Sequence, residues 1–126
     1  MQKTKTQIRS HKDLIVWQKG VDLAMVIYKF TSKFPSEEKF GLISQMRRSA
    51  VSIPSNIAEG RSRGTRKDFA QFLHIALGST SELETQLEMA KRLEYGEKID
   101  YNESTAMLEE VSRMLVAVIA SLKAST

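Results

Sequence analysis

Four cations fall within seven positions, Arg61, Arg63, Arg66 and Lys67, in the stretch G-R-S-R-G-T-R-K that opens at Gly60. Guanidinium and ammonium groups at this density bind anions, and phosphate is the anion that Arg holds best, through paired N–H donors. Arg61 and Arg63 follow an expected helix end, whose partial negative charge favours cations with no ligand present. Arg66 and Lys67 are expected in the first turn of the next helix, where the dipole disfavours them by roughly a few tenths of a kcal/mol. A phosphate at that turn reverses the sign, because free amides and four cationic side chains then converge on one anion. Asp68 offsets part of the charge. No aromatic residue interleaves the cluster, so the pattern points to the RNA or DNA backbone and not to base stacking or sequence-specific reading.

A second group precedes it. Gln45, Arg48, Ser52, Asn56 and Glu59 recur at helical spacing, so one face of a helix carries only hydrogen-bonding groups. That face is either the solvated outside of an amphipathic helix or a polar network at a helix–helix or subunit contact. In the second case Arg48 and Glu59 pair through Ser52 and Asn56, and the network fixes register more than it adds stability.

Catalytic chemistry finds no footing. The histidines are His11 and His74, and position 71 holds Gln where a di-iron bundle needs the Glu of Glu-x-x-His. Arg66 and His74 are spaced too widely for the arginine–histidine pair of a small helical ribonuclease. There is no P-loop, no glycine-rich dinucleotide turn and no nucleophile–base pair. Cysteine is absent, which removes disulfides, iron–sulfur clusters and thiol catalysis. The expectation is a protein with no enzymatic activity, no cofactor and no metal, in which Glu82, Glu84 and Glu88 form a solvated acidic face or meet the basic half of another protomer.

The elements that position these groups are helices. At 126 residues and 14.3 kDa the chain is one domain with a self-sufficient core. Residues 1–12, with Lys3, Lys5, Arg9 and Lys12 and no acid, are expected to be a flexible basic tail, and 13–124 a four-helix domain. Asp13 is positioned to cap a first helix with Leu14, Trp17, Val21, Ala24, Tyr28 and Thr31 on its main stripe; Gly20 inside it implies a close neighbour. After Phe34-Pro35-Ser36, the second helix runs from about residue 38 or 41 to Glu59, buries Leu42, Met46, Ala50, Ile53 and Ile57, and is kinked or broken at Pro54. Gly60 is expected as its left-handed cap. Thr65 and Asp68 open the third helix, with Phe69, Phe72, Leu73, Ala76, Thr80, Leu83, Leu87 and Ala90 inward and a close crossing at Gly78-Ser79. The fourth opens near Asp100 and packs through Leu108, Val111, Leu115, Val118 and Leu122. With no strand-like alternation, the fold is an all-α, antiparallel up-down four-helix bundle.

Charge and apolar excess suggest contacts beyond one chain. Residues 1–67 hold fourteen Lys or Arg against five acids, and residues 68–126 hold five against ten. Such a division fits nucleic-acid contact or head-to-tail packing of protomers. Val16, Leu23, Val26, Ile27 and Phe30 in the first helix, and Met107, Met114 and Ile119 in the fourth, widen the apolar faces and suggest self-association. No apolar leader or membrane span is evident, so a soluble, cytoplasmic protein is expected.

The motifs W-Q-K at Trp17, F-P at Phe34, F-G-L at Phe40, Q-M-R-R-S-A-V-S-I-P-S-N-I-A-E-G from Gln45, F-L-H-I-A-L-G-S from Phe72 and E-L-E-T-Q-L from Glu82 resemble the four-helix-bundle family of 23S rRNA intervening-sequence proteins. Members are encoded within insertions in bacterial large-subunit rRNA genes or elsewhere in the genome. They are similar to the accessory variability protein of diversity-generating retroelements, a basic pentameric barrel that binds nucleic acid and a reverse transcriptase. The resemblance implies a ring-like homopentamer whose partners are itself, RNA or DNA, and a reverse transcriptase or other protein. It departs at Gly20, where Ala is expected. From residues and resemblance together the expected function is a non-enzymatic accessory protein binding nucleic acid through a basic surface; the alternative is a protein-interaction scaffold with no nucleic-acid role.

Overall fold

A computed structural model describes residues 10–124, which form four helices: α1 (Ile15–Thr31), α2 (Leu42–Ser62), α3 (Arg66–Arg92) and α4 (Lys98–Ala124). Short connections make successive helices antiparallel, and contacts run α1 to α2, α2 to α3, α3 to α4 and α4 back to α1. The centre is apolar, with Leu23, Ile27, Phe30, Met46, Ile53, Ile57, Leu73, Leu83, Leu87 and Leu115 fully buried. No strand occurs among the described residues.

The inward stripes of α2 and α3 match the sequence pattern closely. On α1 the buried face is instead Val16, Gly20, Leu23, Ala24, Ile27, Phe30 and Thr31, while Trp17 and Val21 are half-buried and Tyr28 is exposed. The apolar excess expected to serve self-association on α1 is therefore mostly the core itself. On α4, Ile119 is buried and Met107 and Met114 are half-buried.

Gly20 lets α1 approach α2. A Cβ there would stand 3.5 Å from Pro54 Cβ and 3.6 Å from Ile53 Cγ2, ordinary van der Waals distances. Since the methyl fits and Ala is the better helix former, Gly20→Ala is expected to raise stability by roughly 0.5–1 kcal/mol, read as a higher urea midpoint with an unchanged slope. A lower midpoint would mean that the α1–α2 contact does not accommodate even a methyl.

Pro54 is buried and α2 runs unbroken through it, so the two-helix alternative does not hold. Gly60 is not the terminal cap. It is a buried helical residue whose missing Cβ would fall 2.6 Å from Phe72 Cβ, and α2 continues to Ser62. The left-handed turn falls at Gly64, with φ 89°. Nor is Gly78 a close crossing, for it is exposed with nothing within 4 Å of a built Cβ; its neighbour Ser79 faces inward. At the start of the chain, residues 1–9 of the expected tail lie outside the described residues. Ser10 caps a 3₁₀ turn at His11–Asp13, Asp13 closes that capping box instead of capping α1, and the His11 ring meets Trp17 edge-on at 5.0 Å.

Two polar devices clamp the opposite end. Arg47 donates from Nε to Thr31 Oγ1 at 2.9 Å and from Nη2 to the Tyr28 carbonyl at 3.3 Å, holding the carboxyl end of α1 to the start of α2. Glu38, on a 3₁₀ turn before α2, accepts from Leu42 N–H at 3.0 Å and from the Tyr95 hydroxyl at 2.9 Å. These bonds, the backbone one first, hold the Glu38 carboxyl below its ordinary 4.5. A group favoured as the carboxylate in the folded chain stabilises it fully above that value and loses the contribution as pH falls through the lower folded pKa. Glu38→Gln is expected to lower the urea midpoint at pH 7 and to make the decline below pH 4.5 shallower. An acid limb identical to that of the wild type would remove Glu38 as a source of it.

Candidate nucleic-acid interface

The two ends of the bundle differ in charge because of how the helices run. Gly20 faces Ile53 and Pro54, and Arg47 reaches Tyr28 and Thr31, so the start of α1 lies beside the end of α2. The His11–Asp13 turn accordingly packs on α2. One pole thus gathers Lys12, the α2–α3 corner with Arg61, Arg63, Arg66 and Lys67, and the end of α4 with Lys123.

The four corner cations are not equivalent. Arg63 donates from Nε and Nη2 to Glu59 Oε2, at 3.0 and 2.9 Å, and its guanidinium lies 4.9 Å from the centroid of the Phe72 ring. Arg61, in the last turn of α2, is half-buried. Arg66 and Lys67 are exposed, with no hydrogen bond or ion pair among the described residues, and they occupy the first turn of the 27-residue α3. Thr65 is the N-cap there and accepts from Asp68 N–H at 3.1 Å, the forward half of the expected capping box.

Along the α1–α4 seam the positive charge is answered within the chain. Lys19 pairs with Glu110 at 3.3 Å, Lys33 with Glu97 at 3.1 Å, and Lys29 and Lys33 approach the buried Asp100 at 3.7 and 3.8 Å. The contrast between a basic first half and an acidic second half is therefore partly closed along the α1–α4 seam, and the corner keeps its excess. Composition gave no sign of this seam; the signal would have been lysines and acids at matched helical positions on antiparallel neighbours.

The polar stripe of α2 is only partly a network inside the protomer. Ser52 Oγ shares a 2.8 Å hydrogen bond with Ser79 Oγ, and Asn56 Nδ2 donates to the Ser52 carbonyl at 2.8 Å and to its Oγ at 2.9 Å. These three side chains tie α2 to α3. Gln45 and Arg48 are exposed, and Glu59 is engaged by Arg63. Arg48 and Glu59 do not meet, being about 16 Å apart along one helix axis.

The residues described so far also set the limits on other chemistry. His74 is exposed on α3, and no group of three or more His, Asp or Glu side chains among the described residues is placed to hold a metal ion. An open groove of about 820 Å³ between α3 and α4 is lined by Glu84, Glu88, Glu109 and Arg113 over Leu87, Leu108 and Tyr101. It has no nucleophile–base pair. No described helix is long and apolar enough to cross a membrane.

Comparison with known proteins agrees with this architecture. The family model described as 23S rRNA-intervening sequence protein matches residues 12–117, nearly all of the bundle. The chain belongs to that family. A crystal structure of a protein of unknown function from the S23 ribosomal protein family of Bacteroides thetaiotaomicron VPI-5482 superposes with a TM-score of 0.73 at 33% identity, covering 83% of this chain and 98% of that one. No curated protein matches. The 23S rRNA-intervening sequence match spans both the α2 stripe and the α2–α3 corner, so the basic corner lies inside the family domain.

Proposed function

We propose that this 23S rRNA-intervening sequence protein is a non-enzymatic, self-associating accessory protein that binds the backbone of RNA or DNA at its basic pole in the cytoplasm. The observation that supports it most is the pair Arg66 and Lys67, exposed and unpaired in the first turn of α3, where a cation is unfavourable until an anion arrives. Arg61 and Arg63 border the same corner and Lys12 the same pole. No aromatic side chain interrupts Gly60 to Asp68, so the binding is directed at phosphates and sequence-tolerant.

A ring of copies, as the family resemblance implies, repeats the corner around its axis and sums the phosphate contacts. Each contact displaces a condensed counterion, so affinity falls steeply with salt. The test is binding of the intact protein to labelled structured RNA and to duplex DNA over a salt series. Binding with log K falling linearly in log salt on either nucleic acid is the expected result. Absence of binding to both at low salt overturns the proposal and leaves the scaffold role, in which a partner protein occupies the pole.

A further inference from the structure

A glycine in the middle of a helix needs a reason, because glycine is the poorest helix former after proline. At Gly20 and Gly60 the reason is a neighbouring helix, whose atoms a built Cβ would meet at 3.5 and 2.6 Å. Gly78, inside the 27-residue α3, has no such neighbour. It is exposed, and no described atom outside its own helix backbone and chain neighbours lies within 4 Å of a built Cβ. The fold of the protomer does not require it, and bare main chain is what lets the backbone of a ligand come close.

The surroundings of Gly78 identify that ligand. Lys67, Gln71, His74 and Gly78 follow at steps of four, three and four, so they share one outer stripe of α3, and all four are exposed. The stripe begins at the basic corner and runs about 16 Å along the helix axis. It is also clear of carboxylates. After the half-buried Asp68 no acid occurs on α3 before Glu82, and across the groove the one acid of α2 is Glu59, which Arg63 holds. From Glu82 to Glu110, by contrast, acids outnumber Lys and Arg by nine to three, so a polyanion leaving the corner is tolerated as far as Gly78 and repelled beyond it. Gln71 through its amide and His74 through a ring N–H are donors for phosphate oxygens along the way.

We infer that the phosphodiester backbone held at the α2–α3 corner continues along this stripe, from Lys67 past Gln71 and His74, and lies against the bare main chain at Gly78. The inference rests on the backbone binding proposed above and adds its direction and its far end. It makes no demand on the number of copies in the assembly.

The test is binding of the full chain to labelled structured RNA and duplex DNA over a salt series, with Gly78→Gln, Gly78→Glu and the double variant Q71E/H74E. Gln at position 78 adds bulk without charge and is expected to weaken binding by roughly fivefold or more with little change in salt slope, because the cations of the corner are kept. Gly78→Glu and Q71E/H74E set carboxylates against the strand and are expected to cost roughly tenfold or more. Both substitutions at 78 should leave the urea midpoint at or above that of the wild type, since the site is open and each is a better helix former than glycine. If all three variants bind as the wild type does while R66A/K67A loses affinity, the corner stands and the track along α3 is overturned. A wild type that binds neither nucleic acid overturns the proposed function and this inference with it. Sedimentation equilibrium without nucleic acid gives the remaining readout: a changed assembly state in the Gly78 variants assigns the bare main chain to a contact between copies and overturns the inference, and an unchanged one supports it.

Discussion

Gly96→Ala is expected to destabilise the fold by about 3 kcal/mol, the sum of a backbone cost and an overpacking cost. Gly96 has φ 76°, in the left-handed region, where an L-residue costs roughly 1–2 kcal/mol. Its missing Cβ would also lie 2.5 Å from Phe30 Cε1 and 3.1 Å from Phe34 Cε1. Neither ring has slack. Phe30 is fully buried, and the two stack edge-to-face with centroids 4.9 Å apart. Overpacking of this kind costs about 1–3 kcal/mol more. Gly64→Ala is the control, because Gly64 has φ 89° but open space around it, so only the backbone cost applies. Urea denaturation of the two variants separates the contributions: equal losses would show that Phe30 and Phe34 yield to the methyl, and that the α3–α4 turn is not packed as described.

The two glycines also show what the sequence discloses and what it hides. Periodicity identifies the inward residues of α2, because Leu42, Met46, Ala50, Ile53 and Ile57 are spaced for one face and all five are buried. Periodicity on α1 is ambiguous, since Leu14, Trp17 and Val21 are as apolar as Val16, Leu23 and Ile27. What decides between the faces is the neighbour: Gly20 must meet Pro54, and that rotates the Val16 face inward. Gly60 carries the same lesson. A glycine after S-N-I-A-E has the form of a cap, yet Phe69 and Phe72 of α3 need the space of its absent side chain, so the helix continues and Gly64 makes the turn. The cations of the corner were legible as a cluster. The Arg63–Glu59 pair is an i,i+4 contact that the spacing offers once α2 is run past Gly60, whereas the seat of Arg63 over Phe72 and the unpaired state of Arg66 and Lys67 depend on the angle at which α3 leaves α2. Arg47 illustrates the opposite gap, a residue in the conspicuous R-R pair whose partners at Tyr28 and Thr31 come from another helix.

That inequality among the four cations gives the sharpest test of the basic pole. The double variant R66A/K67A is expected to weaken binding to structured RNA or duplex DNA by roughly tenfold or more, because each lost charge-assisted contact contributes on the order of 1 kcal/mol or above. The salt slope should fall by about one for each phosphate contact removed, hence by about two. R61A/R63A is expected to do less. Arg63 already satisfies Glu59 and must loosen that bond to reach a phosphate, so part of its binding contribution is offset. Folding should survive R66A/K67A, since both side chains are exposed and α3 keeps its Thr65 cap, its Asp68 and its buried stripe. Binding curves for the two double variants over one salt series compare these contributions directly. If R61A/R63A proves the more damaging pair while helix content is retained, phosphate is held at the end of α2 and not at the start of α3. If neither pair changes the slope, the nucleic acid binds elsewhere on the protein, and the unpaired cations of the first turn must answer to an acidic protein partner instead.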